Sequence, residues 1–432
     1  MDPLQHKQIC VLPVSKLAGA ITPPASKSSS ARTILAATLA SGCSRIDNAA
    51  KSHNVRAMVE CCQALGADVA DSGPGIEVTG PVRLREGATL CPGNSGIVLR
   101  LLMGATAVLR NVTFMTPFLD SLGQRSNTEM IEALRSLGVR CTTTGAEDRL
   151  PISLDGSSVH GGEVTISGRR SSQFLSGLLY LGGLLDEELS ITVTDELKAR
   201  PMVRTTLNVL RTAGIDIEAS DDLMHFRIDP AKQFQPAHYT VGSDPASTAA
   251  LLAVMASVDS RVDLENCALE ELSGVLEYLR EIGVTVVTDE TTVSIRGGGP
   301  LKALDFDGST APDAVLPLAA LAAHADGTSR FYNIEHLRYK ECDRISDFRG
   351  ELLRAGVSAD EKRDELIVHG APGGLEGGAV VDSHYDHGVV FAMTVIALRS
   401  RSGLKIRNAQ YVAQTYPQFF DDLQRVGGRV TC

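Results

Sequence analysis

A handful of short segments carry side chains suited to binding anions and moving protons. Lys27 and Arg32 lie in PPASKSSSAR, Arg100 closes GNSGIVLR, Arg125 ends DSLGQR, and Arg200 precedes Pro201 in KARPMVR. Lys340, Glu341 and Arg344 fall together in RYKECDR. Singly, each is an ordinary solvated charge. Together they offer the forked guanidinium and ammonium donors that grip phosphate and carboxylate. Two acids stand among them: Asp313 in APDA, and Glu341 between Lys340 and Arg344. An acid–base pair in a cationic pocket suits proton shuttling on a phosphorylated substrate. The plain alternatives, a helix cap for Asp313 and an ion pair for Glu341, stay open. The run HYDH puts His384, Asp386 and His387 on a tight turn. That is weak evidence for a metal site, and no metal or cofactor is expected. No G-x-x-x-x-G-K-[ST] is present, and no G-x-G-x-x-G follows a strand, so neither a P-loop nor a dinucleotide site is supported.

The elements that hold these residues repeat along the chain. Six segments read as an amphipathic helix ending in glycine and then a strand, with Gly66, Gly138, Gly214, Gly283, Gly356 and Gly427 spaced by 72, 76, 69, 73 and 71 residues. Each glycine stands where a helix exit turns left-handed. VTVVTDETTVSIRG (284–297) then shows the clearest hairpin. A second set of helices, rich in small apolar residues, opens near Ser28, Ser95, Ser172, Ser247, Asp313 and His387. Being apolar nearly all round, these should be buried. Their starts carry cap-forming residues. If their N-termini converge, backbone N–H groups and helix dipoles make an anion site. The cations above sit around these starts. The repeat predicts an α/β fold of six βαβαββ units in two domains of three. The segment PAHYTVGSDP (236–245) is the candidate crossing.

Composition sets the limits. The chain has 432 residues, 43% hydrophobic and 22% charged, enough for two or three well-filled domains. Acidic residues outnumber basic ones by 52 to 41, for a formal charge of −11. General affinity for nucleic acid or an anionic membrane is therefore unexpected. No apolar run approaches the ~18 residues of a membrane span. The nine cysteines are scattered, without a C-x-x-C pair. Reduced thiols in a cytoplasmic protein are expected.

On these residues the chain resembles the 5-enolpyruvylshikimate-3-phosphate synthase (3-phosphoshikimate 1-carboxyvinyltransferase) family from end to end. SKSSSAR looks like its S-K-S-x-S-x-R motif and GNSGIVLR like its G-N-[AS]-G-T-x-x-R. DSLGQR, SSQF, APDA, DGTSRFYNI, RYKECDR and YDH follow in family order. The resemblance implies an inside-out α/β barrel in two domains, 1–21 plus 243–432 and 22–242, closing on ligands between them. It implies transfer of the carboxyvinyl group of phosphoenolpyruvate to a hydroxyl of shikimate 3-phosphate, with release of phosphate. The partners would be small phosphorylated anions, and the protein a monomer. Lys27 would contact both ligands. Ser28 and Arg32 would hold the acceptor carboxylate, and Ser171, Ser172, Gln173 and Lys340 the acceptor with its phosphate. Arg125 and Gln173 would face the donor phosphate and Arg344 its carboxylate, with Asn94, Gly96 and His387 also on the donor side. Arg100 would shape the same region. Asp313 would be the base on the attacking hydroxyl, and Glu341 the proton donor to the enol methylene.

The chain departs from the family at several ligand positions. Gly388 stands where the family has Arg, and Gln414 where it has a phosphate-binding Lys. Ala199 replaces a Ser that binds the acceptor phosphate, and Met202 a Tyr beside the acceptor. His53–Asn54 occupies the place of an acidic pair. Each lost charge-assisted hydrogen bond costs roughly 1.5–3 kcal/mol. Other cations compensate, or the ligand differs. Two further readings therefore stand beside the first: the same fold acting on another acceptor or eliminating phosphate without phosphoenolpyruvate, and a binding protein without catalysis.

Overall fold

The computed structural model describes residues 8–73, 75–144, 146–230 and 233–431. Six four-stranded sheets form among them, all on one plan. In one, Gly162–Ile166 runs parallel to Leu189–Val193. That strand is antiparallel to His225–Ile228, which pairs in turn with Glu218–Ala219. Parallel neighbours need a long crossover, and a buried helix supplies it. The antiparallel pair closes after the glycine-terminated helix. The order is therefore strand–helix–strand–helix–strand–strand, as the repeat predicts.

The helices alternate between the two sets. α1 (Lys27–Leu39), α3 (Gly96–Ala105), α5 (Ser172–Gly182), α7 (Pro245–Ser257), α9 (Val315–Ala322) and α11 (His387–Arg399) are the apolar ones. α2 (His53–Ala64), α4 (Thr128–Ser136), α6 (Arg200–Thr212), α8 (Leu269–Glu281), α10 (Ser346–Arg354) and α12 (Phe419–Arg425) are amphipathic and end at the repeat glycines. Those six glycines have φ between 81° and 108°. The apolar helices are buried almost throughout: every residue of α11 from His387 to Leu398 is buried. Small residues let them touch backbone to backbone. A methyl on Gly104 of α3 would strike the carbonyl of Gly177 in α5, and one on Gly177 would strike that of Arg100. This contact brings Arg100 beside the start of α5.

Two compact units result: Met1–Pro24 with Gly242–Cys432, and Ala25–Val241. Each has its own hydrophobic cluster. The crossings fall at Pro24/Ala25 and Val241/Gly242, not at 21/22 and 242/243. Residues up to Pro24 stay with the first unit because Asp244 N donates to Pro24 O at 2.7 Å. Each unit is tied to its own far end. In the continuous one, His238–Thr240 lies parallel to Gly42–Asp47. In the other, Ile9–Leu12 is sandwiched antiparallel between Leu404–Arg407 and Arg429–Thr431.

Candidate functional site

The Ala25–Val241 unit gathers one set of the expected residues at the starts of α1, α3 and α5. Ser26, Ser95 and Ser171 cap these helices, their hydroxyls accepting from Ser29, Val98 and Gln173 amides. Capping fixes where each helix begins and so where the next side chains point. Arg100 Nη1 donates to Gln173 Oε1 at 2.8 Å and to Ser171 Oγ at 3.2 Å. Its guanidinium carbon lies 4.5 Å from the Phe174 ring centre. Gly96 is the pivot of this cluster. A methyl there would come 2.9 Å from Arg125 Nη1 and 3.5 Å from both Arg100 Nη1 and Gln173 Oε1. Glycine thus lets two guanidiniums and an amide meet over one turn of backbone. Asn94 Oδ1 accepts from Leu122 N at 3.1 Å and anchors the short 3₁₀ turn Leu122–Gln124 that ends at Arg125.

Arg32 and Ser28 form a second cluster in this unit. Arg32 is fully buried. Its Nε donates to Thr206 Oγ1 at 2.7 Å, and its Nη1 to Ser28 Oγ at 2.5 Å and Ser28 O at 3.0 Å. Ser28 Oγ turns to the sulfur of Met202 at 3.5 Å. Arg32 thus orients Ser28 in this arrangement. Lys27 and Ser172 lie beside these groups at the starts of α1 and α5, Lys27 half-buried and Ser172 buried. At the start of α6, Ala199 adopts φ 51° and ψ 47°, and no side chain caps the helix.

The other unit builds its site around one guanidinium. Arg344 is 2% exposed. Its Nη1 donates to Asp313 Oδ1 at 2.6 Å and its Nη2 to Glu341 Oε2 at 3.2 Å. Asp386 takes Nε at 2.7 Å and Nη2 at 3.0 Å. Burial alone would weaken the arginine's charge. Asp386, Glu341 and Asp313 outweigh it and hold its pKa well above the ordinary value. Asp313 does not cap a helix. It sits inside the 3₁₀ turn Pro312–Ala314, and α9 begins after it with no side-chain cap. Glu341 is an ion-pair partner as well as a proton-transfer candidate. Lys340 follows the 3₁₀ segment Glu335–Tyr339 and is half-buried.

Asp386 is the central residue whose role the sequence reading missed. It is fully buried and caps α11, accepting from Gly388 N at 2.7 Å. The usable signal was its place directly before an apolar helix, where a cap belongs. The HYDH side chains diverge. His384 turns to Glu351 at 2.8 Å, Asp386 to Arg344, and His387 Nδ1 stays 3.8 Å from Asp386 with its ring edge-on to Phe391. A methyl at Gly388 would lie 3.1 Å from Asp386 Oδ1 and 3.5 Å from Arg344 Nη2. Gln414 is buried, its Nε2 donating to Tyr385 O at 3.3 Å. That bond leaves Oε1, an acceptor, as its other face.

Six βαβαββ units in two three-unit bodies, with arginines clustered at helix starts, make an α/β fold of the kind found in enolpyruvyl transferases. The same fold occurs in an EPSP synthase from Acinetobacter baumannii, with TM-score 0.82, 23% identity, and 99% of this chain and 100% of that one covered. It also occurs in the enolpyruvyl transferase NikO from Streptomyces tendae, with TM-score 0.79, 19% identity, and 99% and 98% covered. The chain belongs to the EPSP synthase (3-phosphoshikimate 1-carboxyvinyltransferase) family, whose model matches residues 11–423. It is 46% identical over 436 residues to the 3-phosphoshikimate 1-carboxyvinyltransferase of Burkholderia pseudomallei, covering 99% of this chain and 96% of that one. The enzyme of the same name from Deinococcus radiodurans is 39% identical, with 98% and 96% covered.

Proposed function

We propose that this protein transfers the carboxyvinyl group of phosphoenolpyruvate to a hydroxyl of shikimate 3-phosphate and releases phosphate. The observation that supports this most directly is Arg344 holding Asp313 and Glu341 on one guanidinium. The two carboxylates proposed for proton transfer are thereby fixed beside a donor suited to a ligand carboxylate. Asp313 takes the proton of the attacking hydroxyl, and Glu341 supplies one to the enol methylene. The Arg100–Gln173–Arg125 cluster serves the phosphates, with Lys27, Ser171 and Ser172 around it. Lys340, Asn94 and His387 complete the proposed binding set. No helix among the described residues is long and apolar enough to cross a membrane. We place the protein in the cytoplasm on its scattered cysteines, and expect it to work as a monomer.

A second reading keeps the fold and changes the acceptor. It is favoured by Met202, whose thioether takes the Ser28 hydroxyl. A thioether is a weak acceptor and offers no proton to a carboxylate. One assay separates the readings: phosphate release from phosphoenolpyruvate, with and without shikimate 3-phosphate. Release that depends on both compounds supports the first reading. The absence of any release with both present overturns it.

A further inference from the structure

Between the strand Val380–Asp382 and α11 the chain turns in four residues, closed by Asp386 N donating to Ser383 O at 2.9 Å. The two central residues, His384 and Tyr385, have φ of 49° and 62°. Turns with two left-handed positions normally carry Asn and Gly there. Two bulky residues in succession persist in that region only where their surroundings over-determine them.

The surroundings do so here. His384 Nε2 meets Glu351 Oε1 at 2.8 Å, and Glu351 is 1% exposed. Glu351 Oε2 accepts from Asp382 N at 3.1 Å, and Asp382 Oδ1 accepts from His384 N at 2.8 Å. Tyr385 is held by Gln414 at its carbonyl and by Tyr411, edge-on with ring centres 5.1 Å apart. The next residue is Asp386, which grips Arg344 with both oxygens and caps α11.

We propose that His384 is a positioning residue. Its contact with buried Glu351 holds the left-handed turn that sets Asp386, and through Asp386 the Arg344 guanidinium, for an anionic ligand. Only the identity of that ligand rests on the carboxyvinyl-transfer reading. The groups facing the imidazole are Glu351 and Asp347 of α10 and Asp382 of the preceding strand, with Arg354 against Glu351 at 2.8 Å. The hydrogen bond to Glu351 is the largest cause holding the imidazole's pKa above its ordinary value, and burial opposes it. The contact is therefore charge-assisted below that pKa and weakens as pH rises through it.

Two measurements test this on the full chain. Gly388 N donates to Asp386, so its hydrogen exchange reads the turn without any substrate. Protection at Gly388 should fall about tenfold as pH rises through the His384 pKa, and the fall should vanish in His384→Gln, which cannot titrate. In kinetics, His384→Asn suits the left-handed turn but is too short to reach Glu351. It should raise KM for phosphoenolpyruvate roughly 3–10-fold with kcat within about twofold. Unchanged Gly388 protection and unchanged KM in both variants would overturn the proposal. If the native chain does not turn over phosphoenolpyruvate, the reading of the reaction fails, and the exchange experiment still decides the role of His384. Should His384→Asn misfold, His384→Gln and Glu351→Gln carry the test: each should remove the pH step in protection, and a step retained in both overturns the proposal.

Discussion

Asp386 holds Arg344 through two oxygens, at 2.7 and 3.0 Å, while the same carboxylate caps α11. The guanidinium that also carries Asp313 and Glu341 is thus fixed to the start of a buried helix. A mobile arginine would lose much of its side-chain freedom on gripping a ligand. Here that ordering is already present in the fold.

Replacing Asp313 with Asn should lower kcat by about 10²–10⁴-fold, the usual contribution of a positioned base. Stability should barely change, because Asp313 caps no helix and its side chain is 40% exposed. Turnover and thermal melting of Asp313→Asn check both halves. Near-normal turnover would reduce Asp313 to an ion-pair partner.

Phosphoenolpyruvate should bind weakly, in the high-micromolar to millimolar range. Gly388 offers no guanidinium, and Gln414 offers a neutral amide, already bonded to Tyr385 O, where an ammonium would carry charge. Each missing charge-assisted bond is worth roughly 1.5–3 kcal/mol, or about 10–100-fold in affinity. Gly388→Arg with Gln414→Lys should tighten binding in titration calorimetry with shikimate 3-phosphate present. Tight binding by the native chain would show that other cations compensate.

Gly96→Ala tests the pivot of the phosphate cluster. The added methyl, 2.9 Å from Arg125 Nη1, must push that guanidinium away. KM for phosphoenolpyruvate should rise by about 10-fold or more, the scale of one charge-assisted contact. The melting temperature should stay close to native, since the guanidinium, and no core backbone, gives way. An unaltered KM would place Arg125 outside the donor site.

His324 predicts an acid-sensitive core. It is 2% exposed, and burial, helped by Arg399, pushes its pKa down to about 3. Unfolding lets it charge below about pH 6.5, whereas the fold keeps it neutral. Its contribution is therefore complete above about pH 6.5 and is lost as pH falls from there toward about 3, on the order of 3–5 kcal/mol in all. In His324→Phe, stability plotted against pH should flatten across that window. An acid limb unchanged from the native chain would assign the loss to other groups.

The fold was legible because the repeat is redundant. Six glycines at one spacing announce six helix exits, and the apolar helices need no partner to be recognised as buried. The candidate site was legible where a motif carries consecutive residues, as in SKSSSAR and RYKECDR. It was obscure where function depends on contacts across repeats. Asp386 looked like part of a metal-binding run because nothing local shows that Arg344, 42 positions away, claims it. Asp313 looked like a cap because a 3₁₀ turn and a helix start share the same residues. The bonds that orient Arg32 were obscure for the same reason: Thr206 and Ser176 lie on α6 and α5.

The pairing of Ile9–Leu12 with Leu404–Arg407 and Arg429–Thr431 has a consequence for biosynthesis. A ribosome releases the strand 9–12 long before its neighbours at 404–407 and 429–431. The segment Ala25–Val241 has every sheet partner within itself, so it can mature while the remainder is still being translated. Its companion must keep an inner strand waiting, both of its sides unpaired, for most of the synthesis, and unpaired strand edges are exposed to wrong partners. A stop codon placed before Leu404 should therefore damage only the body that contains Ile9–Leu12, leaving Ala25–Val241 folded and protease-resistant.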